Sequence, residues 1–331
     1  MTIRRPAMLV SNVPRVAAVI PSRFGAERFP GKPLHPISGV PMVLRVLERV
    51  QRAAGVDLVL VATDDARIVA AVEAVGGRAA MTDPALPSGT DRVWAAVRDL
   101  PVEIVLNVQG DEPLMDPLNI ERVATFLRRH PECPLATVAL PLPAGADASD
   151  PAVVKVVRGD DGRALYFSRA AIPYRRRPEP GLPTLKHLGL YGYRKEALKR
   201  WTELPPHPLE RTEGLEQLRA LAAGMRMAVL DAASDSIGVD TIEDARRVEE
   251  ILEREKQKTS PASRMADVKG LRPQGGAQSA PLTSAIRETD FHLSAAAPAA
   301  AAYQRDSFAA AAAAAGYQQE DFGALSRVGR R

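Results

Sequence analysis

Three cations stand close together in one short stretch, Pro21-Ser22-Arg23-Phe24-Gly25-Ala26-Glu27-Arg28-Phe29-Pro30-Gly31-Lys32-Pro33-Leu34. Arg23, Arg28 and Lys32 are separated mainly by small residues and prolines. Fixed cations beside backbone N–H groups suit a triphosphate, whose charge must be neutralised before a nucleophile can approach. The stretch is not a Walker A loop, because Gly31-Lys32 is followed by Pro33 rather than Ser or Thr, and it is not G-x-G-x-x-G. A solvated basic loop is the plainer alternative.

Two carboxylate segments could complement it. Asn107-Val108-Gln109-Gly110-Asp111-Glu112-Pro113 follows an apolar run, and Gly238-Val239-Asp240-Thr241 precedes an amphipathic one. An Asp in such a turn can cap a helix. If Asp111 and Asp240 face one another, they can instead hold a hard divalent cation through oxygen.

Two further segments offer binding groups. Pro87-Ser88-Gly89-Thr90-Asp91-Arg92 reads as a turn and N-cap whose backbone and hydroxyls could meet a base edge. In Lys186-His187-Leu188-Gly189-Leu190-Tyr191-Gly192-Tyr193-Arg194, alternation puts His187, Gly189, Tyr191 and Tyr193 on one face. Polar aromatics there suit a polyhydroxylated ligand, with Glu213, Glu216 and Gln217 on a later helix. A structural histidine is the simpler reading of His187.

These segments need a frame. Val16–Ile20, Leu58–Ala62, Arg78–Met81 and Ile104–Val108 read as short buried strands. Between them run helix patterns: Pro41 as a first helical residue followed by Val43, Val46, Leu47 and Val50; Asp64 or Asp65 capping Ile68, Val69, Val72 and Val75; then Val93 and Val97. Pro117 opens another with Ile120, Val123 and Leu127. This alternation predicts a mainly parallel sheet covered on both faces, with the cationic loop and Asp111 at its carboxyl edge. Beyond residue 134 the pattern turns β-rich. A strand at 135–140, a hairpin across Gly159-Asp160-Asp161-Gly162 and a strand at 188–193 could extend the sheet, cover the site or pair two subunits. Helices at 195–203 and 210–223, a strand at 226–231 and a helix at 241–256 close the body.

Composition bounds the rest. The 331 residues, 46% hydrophobic and 25% charged, suit one large globular unit with a real core. The single cysteine, Cys133, excludes a disulfide framework and any multi-cysteine metal site, and suits a reducing, cytoplasmic setting. No apolar run is long enough to span a membrane, and Asn12, Pro14 and Arg15 break the only leader-like stretch. The net charge of +4 lies entirely in residues 256–331, which hold ten Lys or Arg against six Asp or Glu. The body is therefore neutral, with no field that would draw nucleic acid. The organisation expected is a flexible N-terminus over 1–14, a body over 15–255 and a disordered tail over 256–331. Of residues 295–315 in that tail, 14 are alanine. It carries a weak repeat, Tyr303–Phe308 against Tyr317–Phe322, with no identifiable partner.

On these segments the chain resembles the 3-deoxy-manno-octulosonate (KDO) cytidylyltransferase family. The segments are IPSRFGAERFPGKPL at 20–34, VATDD at 61–65, MTDPALPSGTDR at 81–92, NVQGDEP at 107–113, LYFSRAAIP at 165–173, KHLGLYGYR at 186–194, PLERTEGLEQLR at 208–219 and GVDT at 238–241. They keep the family's order over about residues 15–255. The resemblance implies a nucleotide-diphospho-sugar transferase type of α/β fold, with a three-layer mixed sheet and a homodimer. It implies transfer of CMP from CTP to KDO with Mg²⁺, for lipopolysaccharide synthesis. Carried over by motif, Arg23, Arg28 and Lys32 would hold the CTP phosphates, and Ser88, Gly89 and Arg92 would lie by the cytosine. Asp111 and Asp240 would bind Mg²⁺, and Gln109, Arg169, His187, Tyr191, Glu216 and Gln217 would bind the sugar acid. Two features depart from the family pattern: Leu86-Pro87, where relatives commonly have a histidine nearby, and the tail. Alternatives are a sister enzyme for 8-amino-KDO or a sialic-acid type substrate, and a non-catalytic nucleotide-binding protein.

Overall fold

The computed structural model describes residues 15–25, 29–177, 179 and 181–259. The expectations for residues 1–14, Arg28 and the tail from residue 260 lie outside the described residues. The first half alternates as expected: β1 (Val16–Ser22), β2 (Pro36–Ile37), β3 (Val40–Pro41), α1 (Met42–Gln51), β4 (Leu58–Thr63), α2 (Ala66–Ala74), β5 (Ala79–Met81), α3 (Gly89–Val97), β6 (Ile104–Val108) and α4 (Pro117–Arg129). A 3-10 turn at Lys32–Leu34 precedes β2. The second half holds β7 (Leu135–Pro141), β8 (Lys155–Arg158), β9 (Ala164–Ser168), β10 (Leu185–Arg194), α5 (Lys195–Glu203), α6 (Pro208–Glu213), α7 (Gln217–Ala222), β11 (Met227–Asp231) and α8 (Ile242–Thr259).

The caps follow the sequence signals. Asp65, Ser88 and Asp116 accept from backbone N–H groups in the first turns of α2, α3 and α4, and Pro117 stands at the start of α4. One reading needs correction. The helix expected over 210–223 is two helices, because Gly214 adopts a left-handed φ of 62° and ends α6. Other bounds differ by up to three residues: Pro41 caps α1 rather than opening it, β10 begins at Leu185, and α8 continues to Thr259.

The main sheet runs β11-β7-β10-β6-β1-β4-β5. The pairs β1–β4, β1–β6, β4–β5 and β7–β11 are parallel, whereas β10 runs antiparallel between β6 and β7. The insertion thus widens the sheet, and the β8–β9 hairpin hangs from the start of β10. Alternate residues of β1 enter two cores. Val16, Ala18 and Ile20 pack under α1, α2 and α4; Ala17 and Val19 pack under α3, α5 and α7. Burial on both faces explains why β1 reads as a continuous apolar run. In a third cluster, α8 lays Val248 and Leu252 against Phe29, Ile37 and Met42, beside the turn that carries Lys32.

Candidate active site

The carboxyl ends of β1 and β6 open into a cavity of about 240 Å³, lined among others by Arg23, Lys32, Arg92, Gln109, Asp111 and Glu216. Its position is the one expected for ligands in an open α/β sheet. Gly89, at the start of α3, forms part of the same wall, so the helix points its positive end at the cavity.

At one side the three most separated of the sequence candidates meet. Lys32 Nζ donates to Asp111 Oδ2 at 2.9 Å, to Asp240 Oδ1 at 3.2 Å and to the Val239 carbonyl at 2.9 Å. Burial alone would lower the Lys32 pKa, but Asp111 and then Asp240 outweigh it and raise it above the usual lysine value. Two carboxylates and a carbonyl therefore already close on one cation. That oxygen-only donor set also fits a hard divalent ion. Among the described residues no group of three or more His, Cys, Asp or Glu could hold a metal alone. Any such ion here would take its other ligands from water or phosphate.

The cationic loop is pinned from behind. Phe24 donates its N–H to Asp64 Oδ1 at 3.3 Å, and the Arg67 guanidinium lies 3.5 Å from the Phe24 ring centroid. The other oxygen of Asp64 accepts from Arg92, 2.9 Å away, and Arg92 also donates to Thr82 at 2.5 Å. Arg92 is fully buried; desolvation pulls its pKa down, and Asp64 is the main opposing charge. Asp64 thus ties the loop to α3. Sequence reading offered it only as a cap, a part that Asp65 fills; the second carboxylate in Thr-Asp-Asp was the available signal.

The other candidates divide. Ser88 is engaged as the cap of α3, donating to the Asp91 carboxylate at 2.7 Å. Gln109 and Glu216 reach the cavity, and Glu216 accepts from Thr90 Oγ1 at 2.6 Å, joining the first turn of α3 to the start of α7. Arg169, His187, Tyr191 and Gln217 do not line this cavity. Arg169 donates to the carbonyls of Glu213 and Pro151, at 2.8 Å each, and so braces the α6–α7 junction. Gln217 is buried at the start of α7. His187, Tyr191 and Tyr193 share one face of β10 as the alternation predicts, despite a register shift between His187 and Tyr191. That face is nonetheless an aromatic core. Phe167 meets His187 edge-on, and Trp201 of α5 covers Tyr193 at 5.5 Å. Polar groups persist there: the Tyr193 hydroxyl is buried close to the Asn107 side chain and to Thr90.

With this geometry in place, comparison with known proteins decides the family. A family described as Cytidylyltransferase matches residues 17–227. The chain belongs to the cytidylyltransferase family. It is 47% identical over 235 residues to the 8-amino-3,8-dideoxy-manno-octulosonate cytidylyltransferase of Shewanella woodyi, covering 70% of this chain and 96% of that one. The enzyme of the same name from Shewanella oneidensis is 46% identical over 241 residues, covering 72% and 98%. Among solved structures, a CMP:2-keto-3-deoxy-manno-octonic acid synthetase complexed with CTP superposes with a TM-score of 0.69. It is 41% identical and covers 73% of this chain and 99% of that one. For this cytidylyltransferase the matched span includes the whole cavity wall, whereas Asp240, which meets Lys32 beside the cavity, lies beyond residue 227.

Proposed function

We propose that the protein transfers CMP from CTP to the 2-hydroxyl of 3-deoxy-manno-octulosonate, releasing pyrophosphate, for lipopolysaccharide synthesis. The observation that carries this reading is the convergence of Lys32, Asp111 and Asp240 beside a cationic loop, in a member of the cytidylyltransferase family. The sugar hydroxyl attacks the α-phosphorus in line while the pyrophosphate leaves from the opposite side. Such a transfer asks the protein chiefly to position groups and to offset charge.

Arg23 and Lys32 hold the phosphates and stabilise the charge that grows on the leaving group; Arg28 joins them by motif. The turn from Ser88 to Arg92 seats the cytosine, with Gly89 at the cavity wall. Gln109 and Glu216 meet the sugar acid from the cavity. Arg169, His187, Tyr191 and Gln217, which do not line the cavity, support this end from behind, Arg169 by bracing the α6–α7 junction next to Glu216. Asp111 and Asp240 would hold Mg²⁺, which when bound supplies positive charge to the α-phosphate and the attacking oxygen. A symmetric homodimer belongs to the same reading: Leu165, Tyr174 and Leu182 are large, exposed and apolar, and all lie on the β-rich insertion. So does a cytoplasmic location, where CTP is made. Among the described residues no helix is long and apolar enough to cross a membrane.

A second acceptor, 8-amino-3,8-dideoxy-manno-octulosonate, is favoured by the names of the two Shewanella relatives. Pyrophosphate release by the purified protein with Mg²⁺ and CTP, run with each octulosonate and with sialic acid, separates the readings. Release with the 8-hydroxy acid and CTP alone among the nucleotides is expected. Release with the 8-amino acid only would move the enzyme to the sister specificity. No release with any pair would end the catalytic reading. Asp111→Ala and Asp240→Ala should each abolish release while leaving the fold intact, and near-normal release by either would remove the metal assignment.

A further inference from the structure

Asp111 and Asp240 stand on two loops, and no strand or helix holds both. Asp240 stands next to the end of a segment running from Ala232 to Thr241 between β11 and α8, with no regular structure of its own. Something must fix that segment against the turn after β6, because the two carboxylates close on the same cation. Its beginning is tied to α4: Ala233 donates to Asn119 Oδ1 at 2.6 Å, and Asn119 donates back to the Ser234 carbonyl at 3.1 Å. Its end meets Asp111 through Val239 N–H, 2.8 Å from the Asp111 carbonyl.

The middle is held by Glu112. This carboxylate follows Asp111 directly, is 8% exposed, and has no place in the reaction described above. Its Oε2 accepts from Ser236 Oγ, and its Oε1 accepts from the Gly189 N–H of β10 at 3.2 Å. On the same segment, Lys186 of β10 donates to Asp235 Oδ1 at 2.6 Å and to the Ser236 carbonyl at 2.9 Å. Lys186 ties the segment to the sheet alone. Glu112, next to Asp111 in the chain, ties it both to the sheet and to the turn that carries Asp111. A hydrogen bond to a buried carboxylate is short and strong, and costly to leave half-made.

We infer that Glu112 is a positioning residue: with Ser236 as its partner, it sets the separation between Asp111 and Asp240. The inference rests on the proposed role of those two aspartates, but its test has a readout that does not. Ser236→Ala removes the segment's side of the contact and leaves Glu112 bonded to Gly189. In the ligand-free full chain, this variant should show faster amide exchange over residues 235–240 with the thermal midpoint near that of the parent. With CTP and sugar acid, the Mg²⁺ concentration for half-maximal rate should rise about tenfold, as for groups that orient metal ligands. Glu112→Ala should do the same, and the double variant should be little worse than either single one. Glu112→Gln, whose amide still reaches both partners, should restore most of the loss. Three results would each overturn the inference: unchanged exchange in Ser236→Ala, fully additive effects of the two alanine changes, or a lowered thermal midpoint with unchanged Mg²⁺ dependence. If the parent protein releases no pyrophosphate, the functional reading fails while the exchange experiment still decides whether Glu112 holds the segment.

Discussion

Thr137 gives its one hydroxyl proton to the Leu190 carbonyl, 2.6 Å away. The His187 ring lies 2.9 Å from Thr137 Oγ1 through Nε2, and because that hydroxyl's proton is already given away, His187 must donate there. Burial lowers its pKa to about 3, which keeps the ring neutral with its proton on Nε2 and leaves Nδ1 as an acceptor. An unfolded chain would protonate this ring near pH 6.5. Between these two values the unfolded state binds the extra proton, so stability drops as pH falls from about 6.5 towards 3, by up to about 1.4 kcal/mol per unit from this group. Urea midpoints measured from pH 7.5 to 4.5 should fall less steeply for His187→Gln than for the parent. Equal slopes would mean that the buried ring takes a proton without cost. At this scale the sequence was informative about chemistry and poor about burial. It named Lys32, Asp111 and Asp240 for the residue types that bind phosphate and metal. It assigned the His187 to Tyr193 face to a ligand because alternation says which residues share a face, and not that Trp201 would cover them.

The strand β10 is the element on which the two halves of the sheet depend. It lies antiparallel between β6 and β7, and α4 crosses it closely enough that a side chain at Gly192 would collide with Val123, Leu127 and Leu106. Glycine here is required by packing. Gly192→Ala should cost about 1–3 kcal/mol through overpacking, measurable by denaturant unfolding, and should move α4 away from the sheet. A change below a few tenths of a kcal/mol would show that α4 shifts freely. Most element positions were legible, because apolar runs and caps are local signals: β6 and α5 fall on the expected residues, and Asp65, Ser88 and Asp116 cap as their types suggest. Strand order was not. No local signal states that β10 will insert between β6 and β7, and it is this insertion that carries Gly189 and Lys186 to the segment before Asp240.

At the scale of the whole molecule, one part of the chain accounts for its relatives. Each relative compared above is covered over 96% or more of its own length by 70–73% of this chain. Every residue assigned to the site lies between Arg23 and Asp240. The helix α8 follows Asp240 directly and packs Val248 and Leu252 beside the Lys32 turn, while Glu249 accepts from the Ser38 N–H at 2.6 Å. The point of truncation therefore decides the outcome. A chain ending at residue 259 retains α8 and should keep the turnover number and both Michaelis constants of the full protein. A chain ending at residue 241 loses that packing, so the 3-10 turn carrying Lys32 loses its cover, and turnover should collapse along with stability. Steady-state rates and thermal midpoints of the two truncations test this together. A large fall in turnover for the longer one would place residues 260–331 in the working enzyme, since nothing between Arg23 and Asp240 would have been removed.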